Sequence, residues 1–278
     1  MRPQFLPIKI TSEKYAQGLL EHGEIFMRAL HEFGTWGVLD VGLSNEVRNN
    51  YRGDLYSGVT EVFASPNDSE VFSAFPSNLK DHMKMCCYID NGDPQYFKIY
   101  SMICWDYDEH TGFLPIDPRM AQFGDSAVII TDFNQFLSRL GNALMDNFES
   151  ISIMCERMKW FDFCRTGRLN PIFYKYSGQS YQNEIRIAAC PLHDGGTTRA
   201  LKKDFNPITI RIGNLRDIAM LVPVDQIIHG DVQIPMERIK WPGGSDSRVP
   251  SVFDRIVDFT NAQMNMYHCT DFKPMFSI

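Results

Sequence analysis

Between Tyr176 and Ala189 the chain reads Tyr-Ser-Gly-Gln-Ser-Tyr-Gln-Asn-Glu-Ile-Arg-Ile-Ala-Ala, a polar loop that runs into a short apolar stretch. Ile185, Ile187, Ala188 and Ala189 predict a strand. Residues two apart on a strand share a face, so Gln182 and Glu184 are expected side by side at its mouth. A carboxylate next to an amide suits one kind of chemistry. When a sugar–nitrogen bond breaks, positive charge develops on the sugar ring and a nearby carboxylate stabilises it, while the amide orients an incoming acceptor. Arg186 offers Glu184 a plainer role, as its partner in a surface ion pair worth under about 1 kcal/mol.

Two further groups of residues have types suited to holding a nucleotide. Lys9 and Thr11, on Pro7-Ile-Lys-Ile-Thr11, place an ammonium and a hydroxyl at a strand end, where they can hold a ribose or a diphosphate by charge-assisted hydrogen bonds. They can equally be the exposed face of an alternating strand. In Asn50-Tyr-Arg-Gly-Asp-Leu-Tyr-Ser-Gly-Val59, Arg52 can clamp a phosphate and Tyr51 or Tyr56 can stack on a ring; the alternative is a turn closed by an Arg–Asp pair. Tyr176 and Tyr181 flank the loop before Glu184 and are better placed to stack on a ligand ring. Neither Gly-rich phosphate-loop pattern occurs, the seven His are dispersed, and there is no nucleophile elbow of the G-x-S-x-G type. Asp106-Tyr-Asp-Glu-His110 reads as a cation-binding run or a solvated loop. The basic positions Arg165, Arg168, Arg199, Lys202 and Lys203 read as a solvated face or a phosphate-receiving patch.

The elements that must position these residues are legible in part. Leu6–Thr11 reads as a strand, Ser12 as a helix cap, Glu13–His22 as a helix with Tyr15, Leu19 and Leu20 on one side, Gly23 as its stop, and Glu24–Leu30 as the next strand. Residues 34–76 are rich in Gly, Asn, Asp and Ser and read as long loops. Tyr96–Trp105 and Phe123–Thr131 read as strands. Asp132 caps a helix carrying Phe133, Phe136, Leu137, Leu140 and Leu144 at helical spacing. Pro207–Gly213 alternates as a strand, and Leu215–Leu221 reads as a short helix.

Composition bounds the rest. The 278 residues are 44% hydrophobic, with 20 Phe and 11 Tyr, ample for a core and against disorder. A net charge of −7 argues against coating nucleic acid by bulk electrostatics. The seven Cys form no C-x-x-C pair and no zinc-type spacing, so reduced thiols and a cytoplasmic location are expected. No secretory leader and no membrane span are expected. The expected fold class is α/β (α+β), one mixed domain over 1–278 with a loop-rich insertion around 34–78.

The Gln-x-Glu pair at a strand mouth resembles the catalytic corner of mono-ADP-ribosyltransferases. The opening Lys9-Ile-Thr11, followed by a helix and Gly23-Glu-Ile-Phe, is similar to the first strand of those enzymes and of RNA-phosphotransferase relatives, with Lys where they carry His or Arg. Together with Gly124-Asp-Ser-Ala-Val-Ile-Ile130, these segments also resemble a scattered set of bacterial and phage proteins of unknown function. The resemblance implies a split β-sheet with peripheral helices and NAD as co-substrate. It implies that Glu184 stabilises the ribosyl cation, that Gln182 positions the acceptor, and that Lys9, Thr11, Arg52, Tyr176 and Tyr181 hold the dinucleotide. The acceptor would be RNA, DNA or protein, in a toxin of phage defence or a toxin–antitoxin pair silenced by a partner protein. The alternative from another class is a non-enzymatic interaction protein that binds a protein partner through an aromatic-rich surface.

Overall fold

A computed structural model describes residues 4–35, 58–63, 86–89, 93–148, 151–162, 167–195, 198–201 and 203–241. The chain opens as its residues predict, with strand β1 (Gln4–Thr11), helix α1 (Glu13–His22) and strand β2 (Glu24–Ala29), followed by a short helix α2 (Leu30–Thr35). Gly23 ends α1 in the left-handed region at φ 59°, where a Cβ would stand 2.5 Å from the Gly213 carbonyl oxygen. One expectation fails within α1. Tyr15 points outward, 65% exposed, and Ala16 joins Leu19 and Leu20 in the buried stripe. The core therefore starts one position later, at the i, i+3, i+4 set from residue 16.

Next come β3 (Val59–Phe63), β4 (Cys86–Ile89), β5 (Lys98–Asp108), β6 (Gly112–Phe113) and β7 (Ser126–Ile130). Helix α3 (Phe133–Asn147) starts where Asp132 accepts a hydrogen bond from the Gln135 amide at 2.9 Å. The second half supplies β8 (Ile151–Arg157), β9 (Lys159–Phe161), β10 (Gly167–Arg168), β11 (Tyr174–Tyr176), β12 (Glu184–Gly195), β13 (Thr198–Leu201), β14 (Ile208–Arg211) and β15 (Ala219–Pro223). A last short helix, α4, covers Val224–His229. The helix expected over Leu215–Leu221 is instead a turn leading into β15. The free edge of β7 takes Ala219–Pro223 as an antiparallel partner, and that pairing wins over a local helix.

The architecture is mixed α/β. A ten-stranded sheet runs β13-β12-β5-β1-β7-β15, with β8 on the other side of β12 and all its pairings antiparallel. One edge of β5 is shared. Residues 103–107 pair with β1, and residues 98–99 pair with β2, which in turn carries β14. Helix α1 connects the two strands that divide this edge, so the sheet forks around Ser101.

The two faces of the sheet bury different partners. On one, Leu19 of α1 and Phe136 and Leu140 of α3 pack on Tyr100, Met102, Val128 and Ile187. Each such fully buried apolar side chain contributes about 1.5–3 kcal/mol. On the other, Ile8, Ile103, Trp105 and Ile129 pack with Ile227 of α4, and farther along Ile99, Ala188 and Phe173 pack with Leu30 of α2. Among the described residues no helix is long and apolar enough to cross a membrane.

Candidate functional site

Glu184 is the first residue of β12, and Gln182 is not on that strand. Residues 177–182 form a 3-10 turn, and Asn183 links it to β12 in the left-handed region at φ 39°. Strand alternation therefore does not bring Gln182 beside Glu184. Lys175 does, from β11. Its ammonium donates to Gln182 Oε1 at 2.6 Å and to Glu184 Oε2 at 2.9 Å. Arg186 Nε donates to the other carboxylate oxygen at 2.7 Å, and its Nη1 donates to the Ile172 carbonyl. The ion pair expected at the surface is thus buried: Glu184 is 6% exposed and Arg186 1%. Residues 172–182 lie across the sheet and cover it.

Burial alone would raise the Glu184 pKa. The guanidinium of Arg186 and the ammonium of Lys175 outweigh it and hold the carboxyl well below the ordinary range. The carboxylate is ionised at neutral pH but already faces two cations. With one negative and two positive side chains, the cluster carries a net charge of +1. A developing ribosyl cation gains little from such a group, because the two ammonium-type charges repel it from comparable distance.

Lys9 lies on the opposite face of the sheet. Ile8 and Glu184 are both registered against Ile103, and directly paired residues share a face, so Lys9, next to Ile8, points the other way. Its ammonium donates to the Ser101 carbonyl at 2.8 Å, in the fork of the sheet, and sits 4.5 Å from the Tyr100 ring centroid. Burial lowers its pKa to about 8, against a smaller upward pull from the Glu184 carboxylate. A lysine whose folded pKa is below its unfolded value destabilises the fold wherever it must be charged, and stability rises with pH between the two values. Lys9→Met keeps the stem and drops the charge. It also takes the donor from the Ser101 carbonyl, so the expected result is loss of the rise in stability that wild type shows between about pH 8 and 10.5; denaturant titrations across that range measure it.

Thr11 ends β1 opposite Ser126, with its backbone pressed against Gly124. Tyr176 packs near Phe161 beneath β3, with ring centroids 6.2 Å apart. Arg52 lies outside the described residues. Of the described residues expected to hold a dinucleotide, only Tyr181 adjoins the Gln182–Glu184 corner. Its hydroxyl accepts from Gln122 Nε2 at 3.0 Å and Gln182 Nε2 at 3.2 Å, and the Arg119 guanidinium lies 3.8 Å from its ring centroid.

Beside this corner a cleft of about 160 Å³ opens between β5 residues 103–106, residues 114–117 and the turn at Tyr181–Asn183. It exists because β12 stops at the level of Ile103 while β5 continues to Asp108. Asn183 closes the exposed edge of β5. Its carbonyl accepts from the Cys104 amide at 2.7 Å, and its Nδ2 donates to the Cys104 carbonyl at 2.6 Å and to Asp106 Oδ2 at 2.8 Å. Asn tolerates the left-handed region better than most side chains, and these bonds hold it there. Arg157 Nη2 reaches Asp106 at 2.6 Å and Asn183 Oδ1 at 3.1 Å. The Cys104 thiol, pushed up to about 12 by burial, is not a nucleophile at neutral pH.

Asp106, Arg157 and Asn183 were not expected as a group. The only sequence signal was an Asn directly before an apolar strand, a type that favours left-handed turns. Asp108 serves the β5–β6 hairpin, accepting from the His110 and Thr111 amides, and among the described residues no cluster of His, Cys, Asp and Glu is arranged to hold a metal ion. No protein-family model, curated protein or solved structure matches this chain.

Proposed function

We propose that the chain acts by binding, as a non-enzymatic interaction protein with a protein partner. The observation that supports this is the double pairing of buried Glu184: one oxygen accepts from Arg186 and the other from Lys175, and the cluster is net positive. Lys9 is turned to the other face of the sheet, and the adjoining cleft is too small for a dinucleotide, since sites for ligands of that size usually span roughly 300–1,000 Å³. Two exposed aromatics are available to a partner. Phe205 is 41% exposed and stacks on Tyr96 at 4.5 Å, and Phe26 is 45% exposed.

One specific observation favours the second reading, NAD-dependent mono-ADP-ribosyl transfer. Gln182, Glu184 and Tyr181 do come together, beside a cleft. For transfer to proceed there, an anionic ligand such as a diphosphate has to draw Lys175 off Glu184 and leave the carboxylate facing the ribose. Incubating the purified chain with NAD and cellular RNA, DNA or protein separates the two. The expected result is no consumption of NAD and no label transfer. NAD turnover that disappears in Glu184→Gln, with melting showing that variant folded, would replace the binding reading with the transferase.

A further inference from the structure

Residues 177–182 form a 3-10 turn laid over Glu184, and the chain is fixed firmly on either side of it. Before the turn, Ile172 and Phe173 are buried core residues packed with Leu30, Ile99 and Ala188. After it, Asn183 is tied to β5, its carbonyl accepting from the Cys104 amide and its Nδ2 donating to the Cys104 carbonyl. The turn between these anchors runs through Ser177-Gly-Gln-Ser180, with Gly178 and Ser180 exposed. A polar span with fixed ends can lift without unravelling the fold, since local opening costs least where few apolar contacts break.

Two holds keep the turn down. One faces solvent: the Tyr181 hydroxyl accepts from Gln122 Nε2, and the exposed Arg119 guanidinium lies over its ring. The other is buried. The Lys175 ammonium donates to Gln182 Oε1 and to Glu184 Oε2, so one group joins β11, the last residue of the turn and the first residue of β12. A charge-assisted bond shielded from water is the stronger kind of hold. Without that ammonium, Gln182 Oε1 is a buried acceptor with no donor among the described residues. Water satisfies it only when the turn lifts, so losing the donor shifts the balance towards opening.

We infer that Lys175 is the latch of this turn: bridging Gln182 and Glu184 it holds the turn down, and its release lets residues 177–182 lift and admits solvent to Glu184. The opening is local, with β11 and β12 remaining in place and Glu184 still paired to Arg186. Access to the carboxylate is thus set by what the Lys175 ammonium is bonded to. That control is the same whether the chain binds a protein or turns over NAD.

Residue-resolved hydrogen exchange of the full chain in rising, sub-denaturing guanidinium chloride tests this. The Asn183 amide, bonded to the Ser180 carbonyl at 3.0 Å, reports the turn. The amides of β7, a strand paired on both edges, report global unfolding. In wild type Asn183 is expected to exchange faster than β7, at a rate almost independent of denaturant, as a small local opening does. In Lys175→Met that rate is expected to rise about 10–100-fold, as the loss of one charge-assisted hydrogen bond predicts. Carbodiimide coupling of glycinamide to Glu184, located by mass spectrometry, is expected to rise with it. Asn183 exchange that climbs with denaturant alongside β7 overturns the inference from wild type alone, even where the variant fails to fold. So does an unchanged Asn183 rate in folded Lys175→Met, or faster Asn183 exchange with no faster coupling at Glu184. None of these results depends on NAD turnover or a protein partner, so the latch and the proposed function can fail separately.

Discussion

Glu184→Ala is expected to lower the unfolding free energy by about 3–5 kcal/mol, the usual penalty for removing one member of a buried ion pair. The reason lies in what is left behind. Arg186 is 1% exposed and Lys175 5%, and the alanine strands both without a counter-charge, beneath the 172–182 segment. Chemical denaturation measures the loss as a lower midpoint with little change in slope. The triple substitution Glu184→Leu, Lys175→Met, Arg186→Met removes all three charges and is expected to recover most of it, because apolar replacement of a buried ionic cluster is often neutral or stabilising. A triple variant as unstable as the single one would show that the ion pairs are not the source of the effect.

The same cluster sets a pH dependence. The Glu184 carboxyl titrates far below its unfolded value, so its contribution is full above the ordinary carboxylate range and is lost only as the pH falls through the depressed folded value. For the same reason, lost activity in an alanine variant says nothing about catalysis unless the fold is checked beside it.

Gly124→Ala is expected to destabilise by about 2–5 kcal/mol, combining backbone strain with forced displacement of a neighbour. At φ 156° the new Cβ would stand 2.1 Å from the Thr11 carbonyl carbon and oxygen, both backbone atoms that cannot rotate away. Movement there disturbs the Thr11–Ser126 rung joining β1 to β7 and the bond from the Glu13 amide to Asp125 that anchors the start of α1. Gly18→Ala is the control. Its Cβ meets nothing within 4 Å inside α1, and the change is expected to stabilise by about 0.5–1 kcal/mol through helix propensity. Thermal melts of the two variants should therefore move in opposite directions. A Gly124→Ala melt matching wild type would mean that β1 and β7 do not approach as closely as described.

Much of the scaffold can be read locally. Gly23 stops α1, Asp132 starts α3, and the spacing of Phe133, Phe136, Leu140 and Leu144 marks its buried face, because capping and helical periodicity involve residues within a few positions of one another. Ser12 precedes α1 without a side-chain cap bond, and distant Asp125 takes the Glu13 amide instead. The apolar runs of β5 and β7 are legible for the same reason. The helix expected over Leu215–Leu221 is not realised, because the open edge of β7 decides that segment, and β7 lies some ninety residues earlier.

The candidate site divides along the same line. That Glu184 begins a strand and that Arg186 stands within its reach follow from the residues themselves. Its burial does not, nor does its second partner, since Lys175 reaches it only after residues 177–182 turn back over the sheet. Lys9 is the sharpest instance. Alternation within β1 separates Lys9 from Ile8, but which of the two shares a face with Glu184 depends on the register of β1 on β5 and of β5 on β12. A slip of one residue at either pairing would reverse the answer, and that register is set by packing across the sheet between segments far apart in the chain, which no local pattern encodes.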